Sequence, residues 1–429
     1  KYIVKLKTPS NENSASSFGS HITGISLDAR LNALRSKLSR FDKLKPINHE
    51  FLAVDFQDIE GIKDKIAELQ NAGAIEYAEP DVKAYALTTP NDPLYTSQWA
   101  HQKIQSNLAF DITYGSQAIV VAMIDTGVDY SHPDLAPNMW VNPREVAGNG
   151  IDDDGNGYID DIHGYDFANN DPNPAADDTG IWHGTHTAGT VGARGGNGTG
   201  ISGHSPIVKI MALKFLNSQG GGDASDAIRA IDYAIQNGAK IMNNSWGSEA
   251  GSRALSEAVL RARNAGVLFV AASGNGGNDG VGDNNDTSPS YPANYQYDNV
   301  ISVASTNSVD GLSGFSNYGA TNVQVGAPGE GILSTMNGGR YQSMDGTSMA
   351  APLVSGVLAL LMARRPDLNY LAIKAALLNN VDRLPALQGK VSSGGRVNAY
   401  KALTAIATGE NPNPPPPNQV PVINTPTGC

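Results

Sequence analysis

The chain has 429 residues and 40% hydrophobic content, enough for a large buried core and for two or three domains. Its 30 basic against 42 acidic residues leave a net charge of −12, and since residues 1–87 carry 12 of each sign, the surplus lies wholly in the remainder. This argues against a nucleic-acid partner and for bound cations or simple solubility. The single cysteine, Cys429, is the last residue, so no internal disulfide can form. No uninterrupted apolar run approaches the ~20 residues of a membrane span. Neither an initiator Met nor a leader-like apolar stretch is present, so a secretion leader is expected to lie outside this sequence.

Residues 1–87 read as a small separate domain. YIVKLK is extended, SLDARLNALRSKLSR has helical spacing, FLAVDF alternates, EGIKDKIAELQNA is a second helix, and AIEYAE with DVKAYAL supplies the last strands. This order, βαββαβ, is that of a small α+β ferredoxin-like domain. TTPNDP, residues 88–93, is rich in turn formers and suits a linker or a processing site. From 88 to 408 the short apolar runs IVVAMI (119–124), VKIMAL (208–213), KIMNN (240–244), VLFVAA (267–272) and VISVA (300–304) alternate with helical stretches such as ASDAIRAIDYAIQNG and SRALSEAVLRARNAG. The pattern predicts an α/β unit with a mostly parallel sheet covered by helices on both faces, and such sheets bind ligands at the carboxyl ends of their strands. GENPNPPPP opens segment 409–429 as a polyproline spacer, beyond which NQVPVINTPTGC resembles the first strand of a truncated C-terminal domain.

Four polar signatures fall at predicted strand ends or helix starts. Asp125 stands in IDTGV directly after the run 119–124. A DTG triplet also marks aspartic proteases, but these are all-β enzymes built on two carboxylates sharing a site, which the length and α/β pattern of this chain do not suit. HGTHTAG places His183 and His186 at the start of a small-residue helix. Zinc hydrolases space their helical pair one residue wider around a Glu, missing here, so one of these histidines is better read as a base working near neutral pH. AASGNGG puts Asn275 at a strand end, where alone it reads as a turn residue. DGTSMAAP delivers Ser348 to the first turn of the uncharged segment Met349–Met362. Unsatisfied N–H groups and the helix dipole there favour negative charge developing on a group that the serine attacks, although an isolated Gly-Thr-Ser would be read as a helix cap.

In the order Asp125, His183, Asn275, Ser348, these signatures resemble the subtilisin family of serine peptidases over residues 90–408. The resemblance implies a subtilisin-like fold and peptide hydrolysis: His183 is the base, Asp125 holds its imidazole, Ser348 attacks, and the Asn275 side chain with the Ser348 N–H binds the oxyanion. His186 is then a structural residue of its helix. A substrate cleft is implied between Gly220, Gly221 and Gly222 on one side and Ser245, Trp246 and Gly247 on the other, holding an extended peptide as an added strand. In that register Gly276 and Ser290 resemble the wall and floor of a roomy, neutral P1 pocket. The glycines alone are also plain turn residues, and either view constrains the preferred P1 residue only loosely.

The acidic surplus has a local source. Residues 152–178 hold nine Asp and no Lys or Arg, and Asp152, Asp154, Asn156, the Tyr158 carbonyl and Asp160 occupy alternate positions of an EF-hand-like loop with Gly157 at the turn. His163 stands where such a loop has its bidentate Glu, and Asp161 is the expected substitute. A solvated acidic loop is the alternative; repulsion among carboxylates without a basic neighbour favours calcium. By family resemblance alone, Asp92, Asp134 and Asn197, with carbonyls of loop 194–201, form a second calcium site.

The same resemblance makes residues 1–87 an inhibitory propeptide, with self-cleavage expected between Tyr85 and Thr89 and Leu87 preferred as the residue before the cut, followed by Thr88. The implied protein is a secreted, calcium-stabilised, monomeric serine endopeptidase in zymogen form, acting on protein or peptide substrates, inhibited by its own propeptide and lacking a membrane span. The alternative is a catalytically silent subtilisin-like scaffold that binds protein or a surface through the part beyond the proline spacer. Silent members lose a triad or oxyanion residue, and none is lost here.

Overall fold

The structure is a computed structural model that describes residues 2–7, positions 32, 34, 36 and 37, and residues 43–48, 50–55, 62–81, 89–176 and 182–407. The chain divides into two compact units, Lys1–Ala86 and Leu87–Cys429. In the first, β1 (Tyr2–Leu6), β2 (Lys43–Pro46), β3 (Phe51–Asp55) and β4 (Ile75–Pro80) form an antiparallel sheet in the order β2-β3-β1-β4. Alternate residues of β1 and β3, Val4, Leu6, Leu52 and Val54, point inward and meet Ile62 and Leu69 of α1 (Ile62–Asn71). β2 is a largely exposed edge strand, KLKP, whose lack of an apolar face hid it from the periodicity of the sequence. The expected first helix lies outside the described residues except at Asn32 and Leu34, which are helical, and DVKAYAL lies outside them beyond Asp81.

The second unit is built on a nine-stranded sheet. Its strands are β5 (Gly115–Asp125), β6 (Gly164–Asp166), β7 (Ile207–Lys214), β8 (Ile241–Asn244), β9 (Leu268–Ala272), β10 (Val300–Thr306), β11 (Val325–Pro328), and, beyond a separate hairpin of β12 (Ile332–Met336) and β13 (Arg340–Met344), the short β14 (Asp382–Arg383) and β15 (Gly395–Arg396). The order is β14-β15-β11-β10-β9-β8-β5-β7-β6, parallel throughout except between β14 and β15. The five apolar runs of the sequence all fall on these parallel strands.

Side chains of β5 alternate between two cores. Val121 and Met123 face a cluster with α2 (His183–Gly192) and the long α5 (Thr347–Arg364), whereas Ala122 and Ile124 face α3 (Ala224–Gln236) and α4 (Arg253–Asn264). Helices thus cover both faces, which is why the strands carry continuous rather than alternating apolar residues. By length and composition α5 could cross a bilayer, but 83% of it is buried within this core. β5 is the switch point of the sheet, with β7 on one side and β8 on the other, and polar residues gather at its carboxyl end.

Candidate active site

Asp125 is the last residue of β5 and is fully buried. Its carboxylate accepts from the Thr126 N–H at 2.7 Å, the Thr187 hydroxyl at 3.1 Å and His183 Nδ1 at 2.8 Å. The start of α2 comes this close because Gly184 has no side chain: a Cβ there would stand 2.2 Å from the Gly127 carbonyl oxygen. Burial pulls the His183 imidazole down, but the charge and hydrogen bond of Asp125 outweigh it and hold its pKa above the ordinary histidine value. Nε2 of His183 has no hydrogen-bond partner among the described residues, and His183 lines an open groove.

His186 is one turn further along the same helix and fully buried. Its Nε2–H donates to the carbonyls of Ile332 at 2.9 Å and Gln342 at 3.1 Å, while Nδ1 is enclosed without a partner. Burial, with the neighbouring His183 charge, pushes its pKa down to about 4. It ties α2 to the β12–β13 hairpin as a neutral ring.

Ser348 is the second residue of α5. Its hydroxyl donates to the Ser245 carbonyl at 3.1 Å, and its own carbonyl accepts from the Ser245 hydroxyl at 2.9 Å. That carbonyl is free to do so because Pro352, four residues on, has no N–H to bond it. No hydrogen bond joins Ser348 to His183 among the described residues. Asn275 follows β9, and its side-chain oxygen accepts from the Thr347 N–H at 2.9 Å and the Thr347 hydroxyl at 2.8 Å. The Asn275 amide nitrogen is thereby turned outward. A Cβ on Gly346 would stand 3.5 Å from both that nitrogen and the backbone N of Ser348, so two donors flank one small space that glycine keeps open. The arrangement is equipped to stabilise an oxygen that gains negative charge. Thr347, which aims the Asn275 amide, escaped the sequence reading although it sits inside the Gly-Thr-Ser motif.

The groove beside these groups has a volume of about 470 Å³. Gly220, Gly221, Gly222, Ser245, Trp246 and Gly247 all line it, together with the apolar Phe215, Leu216 and Leu255 and the ring of Tyr291. The Ser290 hydroxyl lies 3.1 Å from where a Cβ on Gly247 would stand and 3.5 Å from one on Gly274, but Ser290 is not among the residues that line the groove. Gly276 is buried, its missing Cβ replaced by the Val281 backbone, so it presents main chain only.

The expected metal ligands separate into two groups. Asp92, Asp134 and Asn197 do come together: Asp92 accepts from the N–H groups of Gly196 and Asn197 at 2.7 and 3.2 Å, and Asp134 from the Asn197 amide at 2.9 Å, the Ile201 N–H at 3.0 Å and the Tyr341 hydroxyl at 2.9 Å. Both carboxylates are buried, and among the described residues no Lys, Arg or His pairs with either. A cation fits this donor set, because buried carboxylates without a countercharge are costly.

In the acidic loop the structure redraws the ligand set. The carboxylates within 4.8 Å of one another are Glu145, Asp152 and Asp154. Glu145 lies outside the loop motif and accepts from the N–H groups of Asp153, Asp154 and Asp160. Burial and the Asp161 and Asp153 charges hold its pKa up. The Asp160 carboxylate turns instead to the N–H groups of Asn149 and Gly150. Asp161 is buried against the Tyr233 hydroxyl at 2.5 Å, Asn142 and Asn156, and the Tyr158 ring packs edge-on against Tyr165, Phe167 and Tyr233. The expected lack of a basic neighbour also fails: Arg144 reaches Asp154 at 3.0 Å. Leu87 and Thr88 lie outside the described residues.

A parallel α/β unit that gathers an acid, an imidazole and a helix-borne serine beside a glycine-walled groove defines a serine peptidase. The subtilase family profile matches residues 116–400. The chain is 39% identical over 337 residues to a thermophilic serine proteinase of Bacillus sp. strain AK1, covering 78% of this chain and 74% of the relative. It is 40% identical over 316 residues to thermitase of Thermoactinomyces vulgaris, covering 73% of this chain and 99% of thermitase. A solved protease structure from Pseudoalteromonas arctica superposes with a TM-score of 0.59 at 31% identity, over 74% of this chain and 99% of that one. The chain belongs to the subtilase family and is a subtilisin-like serine endopeptidase.

Proposed function

We propose that the protein is the zymogen of a secreted, calcium-stabilised endopeptidase in which Asp125, His183 and Ser348 form the catalytic triad and Asn275 is an oxyanion donor. The observation that carries this is the 2.8 Å bond from His183 Nδ1 to buried Asp125, which leaves Nε2 available, in a residue lining the same groove as Ser245, whose carbonyl accepts from the Ser348 hydroxyl. In the reaction the Ser348 hydroxyl leaves the Ser245 carbonyl and gives its proton to His183 Nε2 as its oxygen attacks the substrate carbonyl carbon. Asp125 stabilises the imidazolium without taking the proton. The carbonyl oxygen, now negative, lies between the Asn275 amide and the Ser348 N–H. His183 then protonates the leaving amine, and water repeats the sequence on the acyl-enzyme.

An extended protein or peptide substrate is held between Gly220–Gly222 and Ser245–Gly247, where bare backbone lets it pair as a strand. Ser290 and Gly276 are themselves small and uncharged, which suits an apolar P1 side chain. Residues 1–87 act as the inhibitory propeptide, residues 88–408 as the catalytic domain and 409–429 as a spacer; cleavage falls after Leu87. Calcium would be held by Asp92, Asp134 and Asn197, and a second ion by Glu145, Asp152 and Asp154, supplying countercharge to those loops. Secretion is supported by a relative named as an extracellular protease, of Natrialba magadii.

The test is processing of the purified full chain on a denaturing gel, with the new N-terminus sequenced. Ser348→Ala remains a single uncleaved chain. Asn275→Ala is cleaved, but slowed by about 10²–10³, the loss in kcat known for this donor in subtilisin. Ser348→Ala maturing at the wild-type rate would remove self-processing; Asn275→Ala maturing normally would return Asn275 to a turn residue.

A further inference from the structure

Asn275 is flanked by Gly274 and Gly276, both at positive φ, of 113° and 73°. A turn of two glycines does not fix a side chain between them, because glycine adopts many backbone conformations at similar energy. Something else must hold it. Asn317 is 5% exposed and meets this turn on both sides of Asn275. Its N–H donates to the Gly274 carbonyl at 2.9 Å, its side-chain oxygen accepts from the Gly276 N–H at 2.9 Å, and its carbonyl accepts from the Ser273 hydroxyl at 2.9 Å.

The other half of the Asn317 amide is also engaged. Its oxygen takes a second N–H, from Asp283 at 2.9 Å, and its nitrogen donates at 3.0 Å to the side chain of buried Asn285, which donates in turn to the Ser273 carbonyl at 2.8 Å. The amide is therefore locked in one orientation by partners on both sides. A Cβ on Gly274 would stand 2.5 Å from the Asn317 nitrogen, so the turn sits directly on this side chain. Thr347 holds the Asn275 side chain, and Asn317 holds the backbone of the two glycines that flank it.

We propose that Asn317 is a positioning residue for catalysis, setting the placement of the Asn275 amide without touching substrate. The proposal rests on reading Asn275 as an oxyanion donor. Donors for a developing charge are effective only when held in place before the reaction, and a displacement of about 1 Å can cost about 10² in rate. Removing the Asn317 amide frees the Gly276 N–H and lets the turn relax, so the loss falls on the transition state rather than on substrate binding.

The test is a double-mutant cycle measured with a chromogenic peptide on the full chain after its processing is complete. Asn317→Ala lowers kcat roughly 10- to 100-fold with KM changed by less than about twofold. In an Asn275→Ala background the same substitution changes kcat by less than about twofold, since the donor it would misplace is already gone. Asn317→Asp keeps the acceptor for the Gly276 N–H, loses the bond to Asn285, and recovers most of kcat. Asn317→Ser, which leaves a hydroxyl in the buried space, runs through the same cycle should Asn317→Ala not fold. Wild-type kcat in either folded variant, or an equal loss in both backgrounds, overturns the proposal. Failure of the underlying reading is seen separately, as wild-type kcat in Asn275→Ala itself.

Discussion

The carboxyl end of the sheet and the interior behind it use the same residue type in opposite ways. At the carboxyl end, His183 has a buried carboxylate on Nδ1 and lines an open groove, and its pKa is held up. One turn inward, His186 meets only carbonyls, and its pKa is pushed down to about 4. His101 and His204 repeat the interior pattern: their rings stack 4.1 Å apart, His101 bonds the Ser202 carbonyl and His204 the Ser106 hydroxyl, and burial lowers both, His101 to about 4. What distinguishes a reactive imidazole from a structural one is the partner and opening that the fold supplies.

The largest expected effect separates the two histidines of one helix. His183→Ala lowers kcat by about 10⁶, the loss known for the base of subtilisin. His186→Ala keeps kcat and loses about 2–3 kcal/mol of stability, because two hairpin carbonyls lose their donor. Near-normal hydrolysis by a folded His183→Ala protein would erase the contrast. It sharpens in a pH profile: the base must be neutral, so kcat/KM rises with pH through a value above the ordinary ~6.5, and Asp125→Asn moves that limb down while lowering kcat by about 10⁴.

The interior histidines predict acid lability. Their folded pKa values are depressed, so their contribution is fully present above the unfolded value of ~6.5 and is lost as pH falls through the folded values. His101 and His186 each withdraw up to about 3 kcal/mol by pH 4. His183 runs the other way, its raised pKa stabilising the fold below ~6.5 and fading as pH rises. Melting temperature should fall between pH 6.5 and 4, and His101→Gln should flatten the fall; an unchanged slope would contradict the assignment of a neutral buried ring.

The acids show the same contrast more weakly. Among the described residues Asp92 and Asp134 are buried without a countercharge, whereas Arg144 partly offsets the Glu145, Asp152 and Asp154 group. Calcium at about 100 times its dissociation constant should add about 2.7 kcal/mol at a site formed only in the folded state. Asp134→Asn should remove most of the calcium-dependent rise in melting temperature, and Asp152→Asn a smaller part. A melting curve that ignores both calcium and chelator would withdraw both sites.

The fold was legible where one residue pattern had one physical cause. Continuous apolar runs announced the strands, and the uncharged run Met349–Met362 announced the buried helix α5. β2 was not legible, since KLKP shows no apolar face. At the site, Asp125, His183, Asn275 and Ser348 were readable through motif and order. Thr347, Asn317 and Ser245's hydroxyl grip on Ser348 were not, because their roles depend on contacts between segments far apart in sequence. Even spacing misled in the acidic loop: Asp160 fits the alternation, yet its carboxylate caps the Asn149–Gly150 turn, while Glu145 joins from outside the motif.

The central claim, that Ser348 is an activated nucleophile, is tested most directly by reacting the processed protein with a fluorophosphonate and mapping the adduct by mass spectrometry. The account predicts one label per chain, on Ser348, absent from Ser348→Ala and formed far more slowly in His183→Ala. A folded, processed chain that stays unlabelled at Ser348, or that labels equally well without His183, would contradict it.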